Sequence, residues 1–257
     1  MERRGHRPGL PRMSAILAFS GVSWQPPGRA EPVFQGLDLE LQAGELAVMT
    51  SGLGGGKSSA LRLAIGLESP TTGSVLVCGR PPGEVRDRIG FVGGEGALLS
   101  NLSLRDNLVL PLRWLRDPPE AEVERKAREV LDLFGVEELP AVAPAYAPTN
   151  LRRLVALARA MILDPALLVL DDPAADFDES SAEEVWVHLL EIARTRGLAV
   201  LTAATEPPRL AAARIVALSG SVVPATRRFS AARGRTALVP AIRAPIVHPD
   251  IIARRHP

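Results

Sequence analysis

The sequence predicts an α/β fold organised around a phosphate-binding turn. Three observations carry that expectation. A strand-like run, Leu46–Thr50, breaks into a glycine cluster at residues 52–56 and then into helical spacing. An apolar run, 167–170, ends in Asp171-Asp172-Pro173. The second half of the chain alternates short apolar runs with helical patterns, the mark of a parallel sheet covered by helices.

Taken in order, residues 15–22, 37–41 and Leu46–Thr50 carry strand signals. A helix is expected from Ser58 to about Leu67, then short strands at 74–77 and Ile89–Val92. Residues 103–161 read mostly as helix. Leu104, Leu108 and Leu112 recur at helical spacing, and Pro111 is expected to bend or end that segment. Pro118 and Pro119 precede a charged helix, 120–134, and a Pro/Ala-rich gap at 139–148 leads to a helix at 151–161. A buried strand at 167–170, a helix at 181–196, a strand at 198–202, a short helix near 210–213 and a strand at 215–218 complete the alternation.

The chain has 257 residues. At roughly 150 residues per domain, that is one large domain or one domain with a subdomain. Hydrophobic residues make up 46%, too many for a largely disordered chain. With 30 basic and 29 acidic residues the net charge is +1, so no global field points to nucleic acid or to a membrane surface. Cys78 is the single cysteine, which excludes an internal disulfide framework and a Cys-rich zinc site. His6, His188, His248 and His256 lie far apart, with no metal-ligand spacing. No apolar run approaches the roughly 18 residues of a membrane span. The basic N-terminus is followed by an apolar stretch, 15–19, too short for a signal-peptide core. A cytoplasmic chain is expected. Residues 1–13 read as a mobile tail, 14–223 as the folded domain, and 224–257, with seven arginines and one aspartate, as a basic tail.

Only Lys57 and Lys126 are lysine; the other 28 cations are arginine. Lys57 lies in the run Ser51, Gly52, Leu53, Gly54, Gly55, Gly56, Lys57, Ser58, Ser59. A glycine-rich turn between strand and helix lets successive N–H groups converge on phosphate oxygens, and the helix N-terminus adds its positive end. Lys57 would reach the outer phosphates and the Ser58 hydroxyl would hold Mg²⁺. The strict pattern asks for glycine where this chain has Ser51. The bland alternative is a glycine-rich connection that happens to contain lysine; the flanking strand and helix favour the phosphate loop. Downstream, a buried strand delivers Asp171 at its C-terminal end, where open α/β sheets bind ligands. Asp171 would complete the Mg²⁺ shell, and Asp172 stands where a water-activating carboxylate would stand.

With these residues in view, the chain resembles an ABC-transporter ATPase subunit from about residue 15 to 223. The carriers are the loop ending Gly56-Lys57-Ser58-Ser59, the run Val155-Ala156-Leu157-Ala158-Arg159-Ala160, the strand end Leu170-Asp171-Asp172-Pro173, and Asp178 in the following turn. The stretch 96–113 is most similar to the ATPases of MCE-type (Mla-type) lipid transport systems. The resemblance implies a P-loop NTPase with a RecA-like core, an antiparallel β subdomain and an inserted helical subdomain at about 93–150. It also implies ATP and Mg²⁺ as cofactors. The expected assembly is a head-to-tail homodimer or heterodimer with another such ATPase, docked on a membrane permease at the inner face of the plasma membrane.

The same resemblance marks departures. Where the family has its signature LSGGQ, this chain has Ala147, Pro148, Thr149, Asn150 and Leu151. The Gln after the Ile89–Val92 strand is replaced by Gly94, and the general-base Glu by Asp172. The switch His falls within 203–205, where there is none. The adenine-stacking aromatic aligns with Pro26 or Pro27; Trp24 substitutes if the turn allows. Aspartate is one C–C bond shorter than glutamate, about 1.5 Å. A misplacement of about 1 Å at a reacting centre can cost ~10²-fold in rate. Losing a preorganised donor to transition-state charge costs roughly 2.7–4 kcal/mol, whereas a lost aromatic stack weakens binding by only about 1–3 kcal/mol. Binding is therefore expected to persist and hydrolysis to be slow or lost. The alternative is a pseudo-ATPase scaffold that holds a membrane complex together without turnover.

Cys78 is a small residue at a strand end. Arg152 and Arg153 read as solvated charge rather than phosphate contacts. Leu99, Leu102, Leu104, Leu108, Leu110, Leu112 and Trp114 crowd one stretch, so some should remain exposed as a permease docking patch.

Overall fold

A computed structural model describes residues 15–218, except 53, 95–96, 176–178, 206–207, 209 and 211. The expected tails at 1–13 and 224–257, together with Leu53 and Asp178, lie outside the described residues. The elements are β1 (Leu17–Trp24), β2 (Phe34–Leu41), β3 (Leu46–Thr50), α1 (Lys57–Ala64), β4 (Thr72–Val77), β5 (Ile89–Val92), α2 (Leu104–Arg116), α3 (Glu120–Asp132), α4 (Thr149–Met161), β6 (Leu167–Asp171), α5 (Glu179–Arg196), β7 (Ala199–Ala203) and β8 (Arg214–Ala217). At 210–213, where a short helix was expected, the Ala213 N–H donates to the Leu210 carbonyl in a turn.

Two sheets form. An antiparallel sheet has the order β2-β1-β4, and a parallel sheet the order β5-β6-β7-β3-β8. Strand side chains alternate faces, so each strand of the parallel sheet feeds two cores. In β6, Leu168 and Leu170 join one core with the buried residues of α2, α3, α4 and α5. Leu167 and Val169 join the other, with α1 and the antiparallel sheet. All four are at most 1% exposed, which is why this segment reads as a continuous apolar run.

Pro111 lies inside α2 and does not end it; the helix runs on to Arg116. An interior proline costs about 3 kcal/mol. Leu104, Leu108 and Leu112 are buried on one face, each contributing roughly 1.5–3 kcal/mol, so burial outweighs the proline. The start is secured by Ser103, whose Oγ accepts the Asp106 N–H at 3.0 Å. Fully buried Asn107 donates to the carbonyls of Leu99, Leu102 and Ser103 and accepts the Leu99 N–H. That amide ties the preceding loop to the helix.

α4 lies against β5. Gly90 of β5 faces the Ala160 carbonyl so closely that any Cβ would clash with it. This close approach anchors the C-terminal end of α4 on β5, while Arg153 and Leu157, nearer its start, line a cavity with Val92, Leu170 and Asp171 at the C-terminal ends of β5 and β6.

Candidate functional site

The parallel register puts Met49 of β3, Ala203 of β7 and Asp171 of β6 in one row. Two strand spacings, roughly 10 Å, therefore separate the phosphate-loop strand from the strand that carries the aspartates. Both loops open at the same C-terminal edge of the sheet.

The loop after β3 lines a cavity of about 360 Å³ with Trp24, Pro26, Arg29, Val33, Ser51, Gly54, Gly55, Gly56, Lys57, Ser58 and Ser59. Lys57 opens α1, and its Nζ donates to the Ser51 carbonyl at 3.3 Å, so the ammonium folds back over the loop. Gly56 has φ 88, and a Cβ there would stand 2.6 Å from Val33 Cγ1 and 2.8 Å from Phe34 Cδ1. Only glycine both adopts that angle and fits beneath β2. The volume lies in the range of small-ligand sites. A backbone cradle, the Lys57 ammonium and the hydroxyls of Ser51, Ser58 and Ser59 fit a nucleotide's phosphates. Trp24 joins Pro26 in the lining of this cavity.

A second cavity, about 20 Å³, is lined by Val92, Gly93, Gly94, Arg153, Leu157, Leu170, Asp171, Asp172 and Pro173. It is the size of one water-sized oxygen. Asp172 is unusual among the non-glycine residues in having φ 48. Its N–H donates to the Ala203 carbonyl at 2.9 Å, and its Oδ2 accepts the Thr205 hydroxyl at 3.1 Å. Sequence reasoning placed Thr205 only as a position lacking histidine and missed this contact; a hydroxyl at the end of β7 was the available signal.

Arg153 corrects the sequence reading. It is not a solvated charge: its Nη1 donates to the Pro173 carbonyl at 3.1 Å, beside Asp172. Arg152 reaches Thr149 Oγ1 instead. Arg159, on the same helix, donates to the Ala97 carbonyl at 3.0 Å, and burial pushes its guanidinium below the ordinary arginine value.

The replaced signature residues sit elsewhere. Ala147 is buried, Pro148 precedes α4 with φ −57, and Thr149, Asn150 and Leu151 form the first helical turn. None of the five lines either cavity. Among the described residues no cluster of three or more His, Cys, Asp or Glu could hold a metal by itself. Ser58 and Asp171 remain the candidate Mg²⁺ ligands, an ion that is usually held by one or two carboxylates with phosphates and water.

The family profile described as "ABC transporter" matches residues 34–175, more than half of the chain. This chain belongs to the ABC transporter family. The lipoprotein-releasing system ATP-binding protein LolD of Hydrogenovibrio crunogenus is 35% identical over 179 residues, covering 66% of this chain and 77% of that protein. The methionine import ATP-binding protein MetN of Mesorhizobium japonicum is 33% identical over 178 residues, covering 66% of this chain and 48% of that protein. Among solved structures, the ATP-binding cassette MJ0796, a dimer in a post-hydrolysis state bound to ADP and Pi, superposes with a TM-score of 0.70. It is 22% identical and covers 79% of this chain and 94% of that one, a likeness of fold. The two-sheet arrangement of this ABC-family chain is thus the family's own. Among its described residues no helix is long and apolar enough to cross a membrane.

Proposed function

We propose that this ABC-family chain is a transporter's ATP-binding subunit that retains Mg-ATP binding and hydrolyses slowly or not at all. The observation that carries the reading is a contrast between the two cavities. The first keeps its glycine cradle, Lys57, Ser58 and Ser59. The second pairs a short carboxylate, Asp172, with a threonine hydroxyl and has a bare glycine at position 94.

ATP supplies the phosphoryl chemistry when bound. Lys57 and the loop N–H groups orient its phosphates, Ser58 and Asp171 hold Mg²⁺, and Trp24 offers a ring to the base. Asp172 is the residue placed to accept a proton from water, and it is held back by its length and by Thr205. The chain works as a homodimer or heterodimer with another ATPase subunit, attached to a membrane permease and peripheral to the inner face of the membrane. Trp114, 83% exposed, and Leu115, 53% exposed, support a docking surface at the end of α2. Cargo lies outside the proposal, because the matched relatives are named for lipoprotein release and for methionine import alike.

A scaffold without turnover is the second reading. Pro148 favours it, since the proline removes an N–H at the start of α4 where the family presents donors. Calorimetry with Mg-ATP and phosphate release, measured together, test the two readings. Saturable binding with slow turnover supports the first, and no turnover, with or without binding, leaves the scaffold.

A further inference from the structure

We propose that Arg153 is a terminal-phosphate ligand, a guanidinium on α4 that lets this chain's own site distinguish a nucleoside triphosphate from a diphosphate. The inference rests on the nucleotide-binding reading above and adds a residue to it.

Arg153 sits on the second turn of α4, whose C-terminal end is anchored on β5 at Gly90, and it lines the small cavity with Val92, Asp171 and Asp172 at the ends of β5 and β6. Its contact with the Pro173 carbonyl fixes the guanidinium beside the aspartates. Among the described residues that line the small cavity, Asp171 and Asp172 are carboxylates and Arg153 is a cation. A phosphate oxygen entering between two carboxylates is repelled unless positive charge faces it; Arg153 adds to the charge of the Mg²⁺ that Asp171 would hold.

Space is available on the side of Gly94. A Cβ there would meet nothing nearer than the Asp171 carbonyl at 4.0 Å. The cavity, about 20 Å³, admits one oxygen and no more. A phosphate chain gripped at Lys57 would extend its far end across β7 toward this cavity. On this proposal the third phosphate of a triphosphate reaches it and a diphosphate stops short. A guanidinium presents five N–H donors in a planar fork, a shape matched to phosphate.

The test is calorimetry on the full chain with ATP and with ADP, both with Mg²⁺, comparing wild type, Arg153→Gln and Lys57→Ala. Arg153→Gln is expected to weaken ATP by about tenfold, the scale of one charge-assisted contact, and to leave ADP within about twofold. Lys57→Ala should weaken both. An equal loss of ATP and ADP in folded Arg153→Gln, or no loss of either, overturns the proposal. If Arg153→Gln fails to fold, Arg153→Lys decides, because an ammonium lacks the fork: a loss confined to ATP supports the proposal, and any other pattern overturns it. A wild type that binds neither nucleotide overturns the nucleotide reading itself, and this inference with it.

Discussion

The Thr205 hydroxyl donates to Asp172 Oδ2 at 3.1 Å, joining the end of β7 to the carboxylate that follows β6. That bond occupies one of the two carboxylate oxygens. The same bond, with the Asp172 N–H on the Ala203 carbonyl, holds the side chain back at the strand end.

Asp172→Glu is therefore expected to raise ATP turnover several-fold. The longer side chain extends about 1.5 Å further, past Thr205 and toward the attacking water. Steady-state phosphate release from wild type and variant checks this, and an unchanged or lower rate would show that carboxylate reach does not limit the reaction.

Lys57→Ala removes the ammonium from the phosphate loop while leaving the glycine cradle intact. ATP binding should weaken at least about tenfold, since a hydrogen bond to a charged group contributes roughly 1.5–3 kcal/mol. Equal affinity in calorimetry would mean that the large cavity is not the phosphate site.

At the docking surface the structure changes which residue to test. Leu108 is fully buried, as are Leu104 and Leu112, so a charge at any of them would disrupt the core. Trp114 is exposed and so is Leu99, at 45%. Trp114→Glu should fold normally and lose co-purification with the permease. Wild-type recovery of the complex would place the docking surface elsewhere.

Glu129 of α3 holds Arg196 of α5 at 2.8 Å. That hydrogen bond, assisted by the nearby charge of Lys126, lowers the Glu129 pKa below its ordinary value against the opposing effect of burial. A lowered carboxylate pKa contributes stability above the unfolded value, about 4.3, and the contribution is lost as pH falls through the folded value. The pair is partly exposed, so solvent screening limits it to about 1 kcal/mol or less. Glu129→Gln should lower the Tm by a few degrees or less at pH 7, with the gap to wild type closing below about pH 4. A gap independent of pH would show that packing, not charge, accounts for the loss.

The phosphate loop and the aspartate strand were legible in the sequence because each uses a local signal. Glycines 54, 55 and 56 interrupt a pattern of strand and helix, and residues 167–170 are apolar without a break. The sequence left open whether α2 bends or ends at Pro111, because the burial that outweighs the proline is supplied by α3, α4 and the sheet. Arg153 was misread for a related reason. A charged residue next to another on a helix looks solvated until the close approach at Gly90 fixes which face is covered. Thr205 was visible only as a missing histidine, since its bond to Asp172 depends on the β6–β7 register.

The most direct measurement is the turnover of saturating Mg-ATP by the full chain together with its permease. The account predicts saturable binding with a rate far below the enzyme median, which is on the order of 10 s⁻¹, and a higher rate for Asp172→Glu. A wild-type rate near that median would contradict it.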